Sequence, residues 1–199
     1  MNDFSLPKAD TEKSKAILLA AEKLFSESGY HTTSVEDIAK AAGVSKGLVL
    51  YHFNSKTNLL QHLLINNIQT VAKQVEAIIQ TNVTVRAKIR STIITYIEHG
   101  NRRLNIIREA HLAGPADMDS NTHAYIHMLV EEERLRLVRL VENGVARGEF
   151  RPVNSTVAAN MLLGAIHELI AGSALGNKPL HADQAADEVT SIFCDGIGV

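Results

Sequence analysis

The stretch from Ser45 to Lys56 holds the side chains best suited to touching a polyanion. Lys46 can reach a guanine edge or a phosphate, and Leu48 can meet a thymine methyl where it is not buried. Gly47 lets a backbone approach closely. Tyr51 and His52 carry donors for phosphate oxygens. Lys56 opens the next helical stretch, where an ammonium and a helix N-terminus together make a phosphate site. Just upstream, Thr33 and Ser34 place hydroxyls at the start of a helix, positioned for the same contact. The plainer alternative is a helical hairpin inside a bundle, with these polar residues serving as ordinary caps.

A second row invites a different chemistry. His123 and His127 are spaced i, i+4 and Glu131 continues the row, so all three share one helix face that could hold a metal. The residues between the histidines are Ala124, Tyr125 and Ile126, so the HExxH pattern of a zinc hydrolase is absent. Glu131, Glu132 and Glu133 with Arg134, Arg136 and Arg139 read as a solvated, salt-bridged face. No GxSxG, P-loop or GxGxxG sits after a strand, because no strand pattern exceeds four residues. The sequence therefore predicts no enzyme, no cofactor and no metal site. A helical metal-binding or enzymatic bundle is the alternative, and an adaptor whose N-terminal hairpin binds protein is a further one.

The elements that must position these residues are helices. Only 4 Pro and 12 Gly punctuate the 199 residues, and 45% hydrophobic with 21% charged residues is the balance of a globular chain. Apolar residues Ile17, Ala21, Leu24 and Phe25 mark one face of a first helix ending near Gly29. Val35, Ile38, Ala39 and Ala42 mark a second, which either Ser34 with Asp37 or Thr33 with Glu36 caps as a capping box. Ser45 caps a third, short helix to about Phe53. Longer helices follow from about Asn54 to Thr81, Thr84 to His99, Asn101 to Ala113, Ser120 to Arg147, Asn154 to Gly176 and Ala182 to Asp195. The reading is all-α, about nine helices, with residues 1–10 as a loose arm and Gly114-Pro115 as a break.

Residues 35–54 fit a helix-turn-helix. Ala39 is small where the two helices touch, Gly43 sits at the turn, and Ile38, Ala42, Val44 and Val49 bury apolar surface. Ser45, Lys46, Gly47, Leu50 and Tyr51 are left facing outward near the start of the second helix, the end that enters a major groove. Charge sums add nothing here, since the first sixty residues hold seven Lys and seven acids and the whole chain carries −2.

The strings ILLAAEKLFSESGYHTTSVEDIAKAAGVSKG and LVLYHFNSKTNLL, between Ile17 and Leu60, resemble the N-terminal domain of the TetR family of bacterial repressors. The resemblance implies a three-helix DNA-binding head over residues 1–55, whose third helix reads the major groove. By position it carries DNA contact onto Lys46, Gly47, Leu48, Tyr51, His52 and Lys56, with Thr33 and Ser34 near the backbone. Leu48 and Leu50 depart from the family's usual Thr and aromatic, removing polar groups from the reading face.

The resemblance also implies a larger helical ligand-binding and dimerisation domain over residues 56–199. RGEFRPVNSTVAANMLLGAIHELI and the segment from Ala182 to Ile197 resemble the two helices that pair with their copies in a second subunit. Met161, Leu162, Ala165, Ile166 and Leu169 are the expected homodimer face; burial of that face inside one subunit is the alternative. Ile97, His99, His111, Tyr125, Met128 and Leu129 are the expected lining of an effector pocket, suited to a small apolar or amphiphilic molecule with a polar group. The expectation is a ligand-responsive transcriptional repressor that binds a palindromic double-stranded DNA operator as a dimer and is released by a small-molecule inducer. A polar N-terminus, one cysteine and no uninterrupted apolar run of about 18 residues suggest a cytoplasmic protein with no membrane partner.

Overall fold

The computed structural model describes residues 12–113 and 120–198, with side chains for all of these but 109–113, 120 and 121. The expected arm at residues 1–10 and the break at Gly114-Pro115 lie outside the described residues. Among those described, nine helices account for the regular structure: α1 (Glu12–Glu27), α2 (Val35–Ala41), α3 (Lys46–Phe53), α4 (Lys56–Ile79), α5 (Val85–Arg102), α6 (Leu104–Ala113), α7 (Ser120–Ala146), α8 (Ser155–Gly176) and α9 (Ala182–Ile197). The pairing of Phe150 with Gly198 is a single isolated bridge.

Backbone contacts group the chain into two compact units, one running to Asn67 and taking in Arg103–His127, the other built from Ile68–Arg102 and the residues from Met128 onward. Each has its own apolar core. In the first, Ile17, Ala21 and Phe25 of α1 meet Ile38 and Ala39 of α2, Val49 and Phe53 of α3, Leu59, Leu60 and Leu63 of α4 and Ile106 of α6. The side chain of Asn105 donates to the Ser26 carbonyl at 2.6 Å, and Arg103 pairs with Glu22 at 2.7 Å, fixing α6 to α1.

Local chemistry sets the short helices of this unit. Ser34 caps α2: its hydroxyl accepts from the Asp37 amide at 3.1 Å, while the Ser34 amide donates to the Asp37 carboxylate at 2.9 Å. Of the two boxes the sequence offered, Ser34 with Asp37 is the one formed; such a cap is worth about 0.5–2 kcal/mol. Gly43 then takes φ 66°, and the amides of Gly43 and Val44 return to the carbonyls of Lys40 and Ala39, closing α2 in a Schellman turn. Ser45 caps α3 through the Leu48 amide, and α3 stops at Asn54, whose φ of 57° a β-branched residue would resist.

In the second unit α5 is the centre, with Ile89, Ile93 and Ile97 fully buried among residues of α4, α7, α8 and α9. Gly144 on α7 gives way to the Phe150 ring, which a Cβ there would meet at 2.3 Å. Lys88 is buried; its ammonium donates at 2.7 Å to the carbonyl of Ile79, the last residue of α4, where a cation suits the negative helix end. Cys194 is buried on α9. Arg90 bridges to Asp183 and Asp187 on the surface of α9. Helix α8 is long enough and on average apolar enough to cross a membrane, with mean hydropathy 1.3. Asn160, His167 and Glu168 interrupt its apolar run, and its inner residues Ala159, Leu162, Leu163 and Ile166 belong to the unit's own core.

Candidate functional site

Helix α3 is anchored by two residues and exposes the rest. Val49 and Phe53, each 1% exposed, hold it in the core of the first unit. Ser45, Lys46, Gly47, Leu50 and Tyr51 face solvent as the spacing predicted, and Tyr51 is 65% exposed. Leu48 is half-buried. His52 is also half-buried, edge-on to the Tyr51 ring and tilted against that of Phe53, with its Nδ1 enclosed and unpartnered. Lys46 makes an open ion pair with Glu36 of α2 at 2.9 Å, both side chains being more than half exposed. Such a pair is worth at most about 1 kcal/mol and can open for a stronger anion.

The residues flanking α3 are more committed. Thr33 is 2% exposed, and its hydroxyl donates to the Gly29 carbonyl at 2.8 Å, so it serves the turn rather than the surface. The Ser34 hydroxyl donates to the Asp37 carboxylate at 2.6 Å while capping α2, and these contacts hold the Asp37 carboxyl below the usual range. The ammonium of Lys56 donates to the carbonyls of Tyr30 and Thr33 at 3.0 and 3.1 Å and lies 4.3 Å from the centre of the Tyr30 ring. Two of its three N–H groups are thus engaged within the protein.

A helix-turn-helix of this build has known relatives. Residues 17–63 match the model for bacterial regulatory proteins of the tetR family. The transcriptional activator FasR of Mycolicibacterium smegmatis is 30% identical over 101 residues, 49% of this chain and 46% of that protein. The transcriptional repressor KstR2 of the same organism is 24% identical over 96% of this chain and 93% of its own. A transcriptional regulator of the TetR/AcrR family from Thermobifida fusca superposes with a TM-score of 0.77 at 25% identity, covering 94% of this chain and 98% of that one. Residues 17–63 are thus the N-terminal domain of the tetR family of bacterial regulatory proteins, and the chain as a whole is similar in fold to a regulator of that family.

In the second unit the expected dimer face divides. Leu162 and Ile166 are 1% and 0% exposed within the chain's own core; Met161 and Ala165 are exposed and Leu169 is half-buried. Met161 and Ala165 join Val157 of α8 and Val189, Ile192, Phe193 and Ile197 of α9 around a groove of about 500 Å³ with Leu162 in its floor. Ile192, 78% exposed, is a groove residue that sequence reasoning missed. Its signal was its place on α9 one turn from Val189, on the opposite face to the buried Thr190 and Cys194.

The expected effector residues also separate. Ile97 is fully buried in the core of the second unit, where His99 is 4% exposed and bonded through Nε2 to the Gln74 amide oxygen at 2.9 Å. Leu129 is buried and Met128 is 46% exposed. Tyr125 lies in the first unit, half-buried, and the side chain of His111 is outside the described residues. His123 and His127 meet edge to face with ring centres 4.4 Å apart, yet no group of three metal-binding side chains gathers among the described residues.

A polar cluster that the sequence concealed sits inside the second unit. Glu133, expected on a solvated face, is 4% exposed because it follows Leu129 and precedes Leu137 at i, i+4 on the inner stripe of α7. Burial raises its carboxyl above the usual range, partly opposed by Tyr96 and Arg136. The Tyr96 hydroxyl is buried near it without a full hydrogen bond, and burial first, then the charge of Glu133, pushes that phenol up. His167 of α8 places Nε2 3.9 Å from Glu133, and desolvation lowers its pKa. Arg136 pairs with Glu76 of α4 at 3.2 Å, while Glu131 and Arg134 form the exposed pair that was expected.

Proposed function

We propose that this chain is a ligand-responsive transcriptional repressor in the cytoplasm, binding a near-palindromic DNA site as a homodimer and leaving it when a small apolar or amphiphilic molecule binds. The observation that carries this reading is α3: it is fixed by Val49 and Phe53 and offers Lys46, Gly47 and Tyr51, with Leu48 at their edge, as one accessible face. One such helix covers few base pairs, so two copies related by a two-fold axis supply the second half-site. The groove between α8 and α9 supports pairing there, because exposed Met161 and Ile192 form an apolar surface that a second copy would cover. The buried Tyr96, Glu133 and His99, with the partly exposed His167 beside Glu133, supply polar groups for the head of an otherwise apolar effector.

Footprinting on the intergenic DNA beside the coding sequence, paired with sedimentation, tests this reading. A symmetric footprint and a two-chain species are expected. Met161→Glu and Ile192→Glu should split that species at micromolar concentration without unfolding it, since both side chains are already exposed in the single chain. An asymmetric site bound by one chain, or variants that stay dimeric, would overturn it. Apolar and amphiphilic compounds that raise the melting temperature should also loosen DNA; stabilisers that never do so would remove the effector from the proposal.

A further inference from the structure

Lys56 occupies the first position of α4, where the helix dipole is positive and a cation is disfavoured. What holds it there is a seat made by the turn between α1 and α2. Its ammonium meets two carbonyls, those of Tyr30 and Thr33, and the face of the Tyr30 ring. The Tyr30 carbonyl also accepts the Thr33 amide at 3.3 Å, so the lysine closes on a turn that is already formed. Tyr30 is itself tied down, its hydroxyl 3.2 Å from Thr57 and its ring edge-on to Phe25 at 5.1 Å. Thr33 immediately precedes Ser34, the residue that caps α2. The lysine therefore links the start of α4 to the residue before the α2 cap, and α2 is joined to α3 through the Gly43 turn.

We infer that Lys56 is a positioning residue for DNA binding, acting through the Tyr30–Thr33 turn rather than on a phosphate. This rests on the reading of α3 as the DNA-reading helix. A charge-assisted hydrogen bond is strong enough to matter at a turn, and here two converge on one ammonium with a π face beneath it. Freeing that turn lets α2 and α3 tilt together, so each contact of α3 is weakened a little and none is deleted.

Two variants of the full-length protein separate the possibilities: Lys56→Gln, which removes the ammonium, and Tyr30→Leu, which keeps both carbonyls and the ammonium but removes the ring beneath it and the Tyr30–Thr57 contact. Affinity for a labelled duplex of the adjacent intergenic DNA is measured between about 50 and 200 mM salt, with hydrogen exchange of the amides from Tyr30 to Asp37. Lys56→Gln should bind about tenfold more weakly at every salt concentration, the scale of one charged hydrogen bond, and Tyr30→Leu more weakly by a smaller factor, both with unchanged salt slope. Both should exchange the Thr33 and Asp37 amides faster, while helix content stays that of the parent. A salt slope shallower by about one unit in Lys56→Gln alone, with Tyr30→Leu binding normally, would make Lys56 a phosphate contact and overturn the inference. Unchanged exchange in both variants would overturn it as well. If the parent binds no DNA, the failure belongs to the proposed function, because the exchange measurement needs no DNA.

Discussion

The two units differ in how they use most of their polar residues, although the enclosed Nδ1 of His52 in the first is also without a partner. In the first, hydroxyls and charges close local turns: Thr33 on Gly29, Ser34 on Asp37, Lys56 on Tyr30 and Thr33. In the second, Tyr96 of α5 and Glu133 of α7 are buried beside each other, and the hydroxyls of Thr92, Tyr96 and Thr190 are buried without partners. Satisfied polar groups make a stiff scaffold, as a surface that must present α3 in one orientation requires. Buried and incompletely satisfied ones lower local stability and leave capacity to bind something, as the proposed effector response would need.

The largest effects should come from the two cores. Phe53→Ala removes a ring that is 1% exposed, at a cost of about 3–5 kcal/mol, and should abolish DNA binding while the sedimenting species keeps its size. Ile166→Ala, costing about 2–5 kcal/mol, should damage the second unit instead. Circular dichroism with a DNA-binding assay distinguishes them, and loss of both properties in both variants would dissolve the contrast.

The polar cluster gives a subtler test. Glu133 is pushed above its ordinary 4.5, so the folded chain holds a proton the unfolded chain releases, and its contribution falls as pH rises through that range. His167 is lowered from 6.5, so its contribution rises with pH up to the ordinary histidine range. The two slopes oppose each other in the parent. Glu133→Gln should uncover the rising one and His167→Asn the falling one, read as melting temperature from pH 4.5 to 7.5. Parallel curves in all three proteins would show that the cluster does not feel its burial.

The smallest effect belongs to the exposed Lys46–Glu36 pair. Glu36→Gln should change stability by less than about 1 kcal/mol, yet tighten DNA binding at low salt by releasing Lys46. Weaker binding would mean that Glu36 aims the lysine rather than competing for it.

These contrasts also explain what the sequence made legible. Caps and turns depend on residues within four positions of each other, so Ser34, Gly43 and Ser45 could be read directly. Val49 was equally readable as a buried residue of α3, and Phe53, one turn on, completes that stripe in the structure. The role of Lys56 was not, since its partners Tyr30 and Thr33 stand 26 and 23 residues earlier in the chain. Glu133 was lost among neighbouring charges, although its spacing from Leu129 and Leu137 marked the inner face. The division of α8 into Leu162 and Ile166 inside and Met161 and Ala165 outside needed α9 to be in place, because α8 is apolar on both sides.

Cys194 has a practical consequence for anyone who wants to watch this molecule move. It is the chain's one thiol, it is 2% exposed, and burial pushes its pKa up to about 11, so little thiolate is available to a maleimide near neutral pH. A cysteine placed at the exposed Tyr51 position could therefore be labelled selectively in the natural background. In a two-chain assembly, one such substitution would give a matched pair of probes, and the distance between them would be an optical ruler for the spacing of the two reading helices.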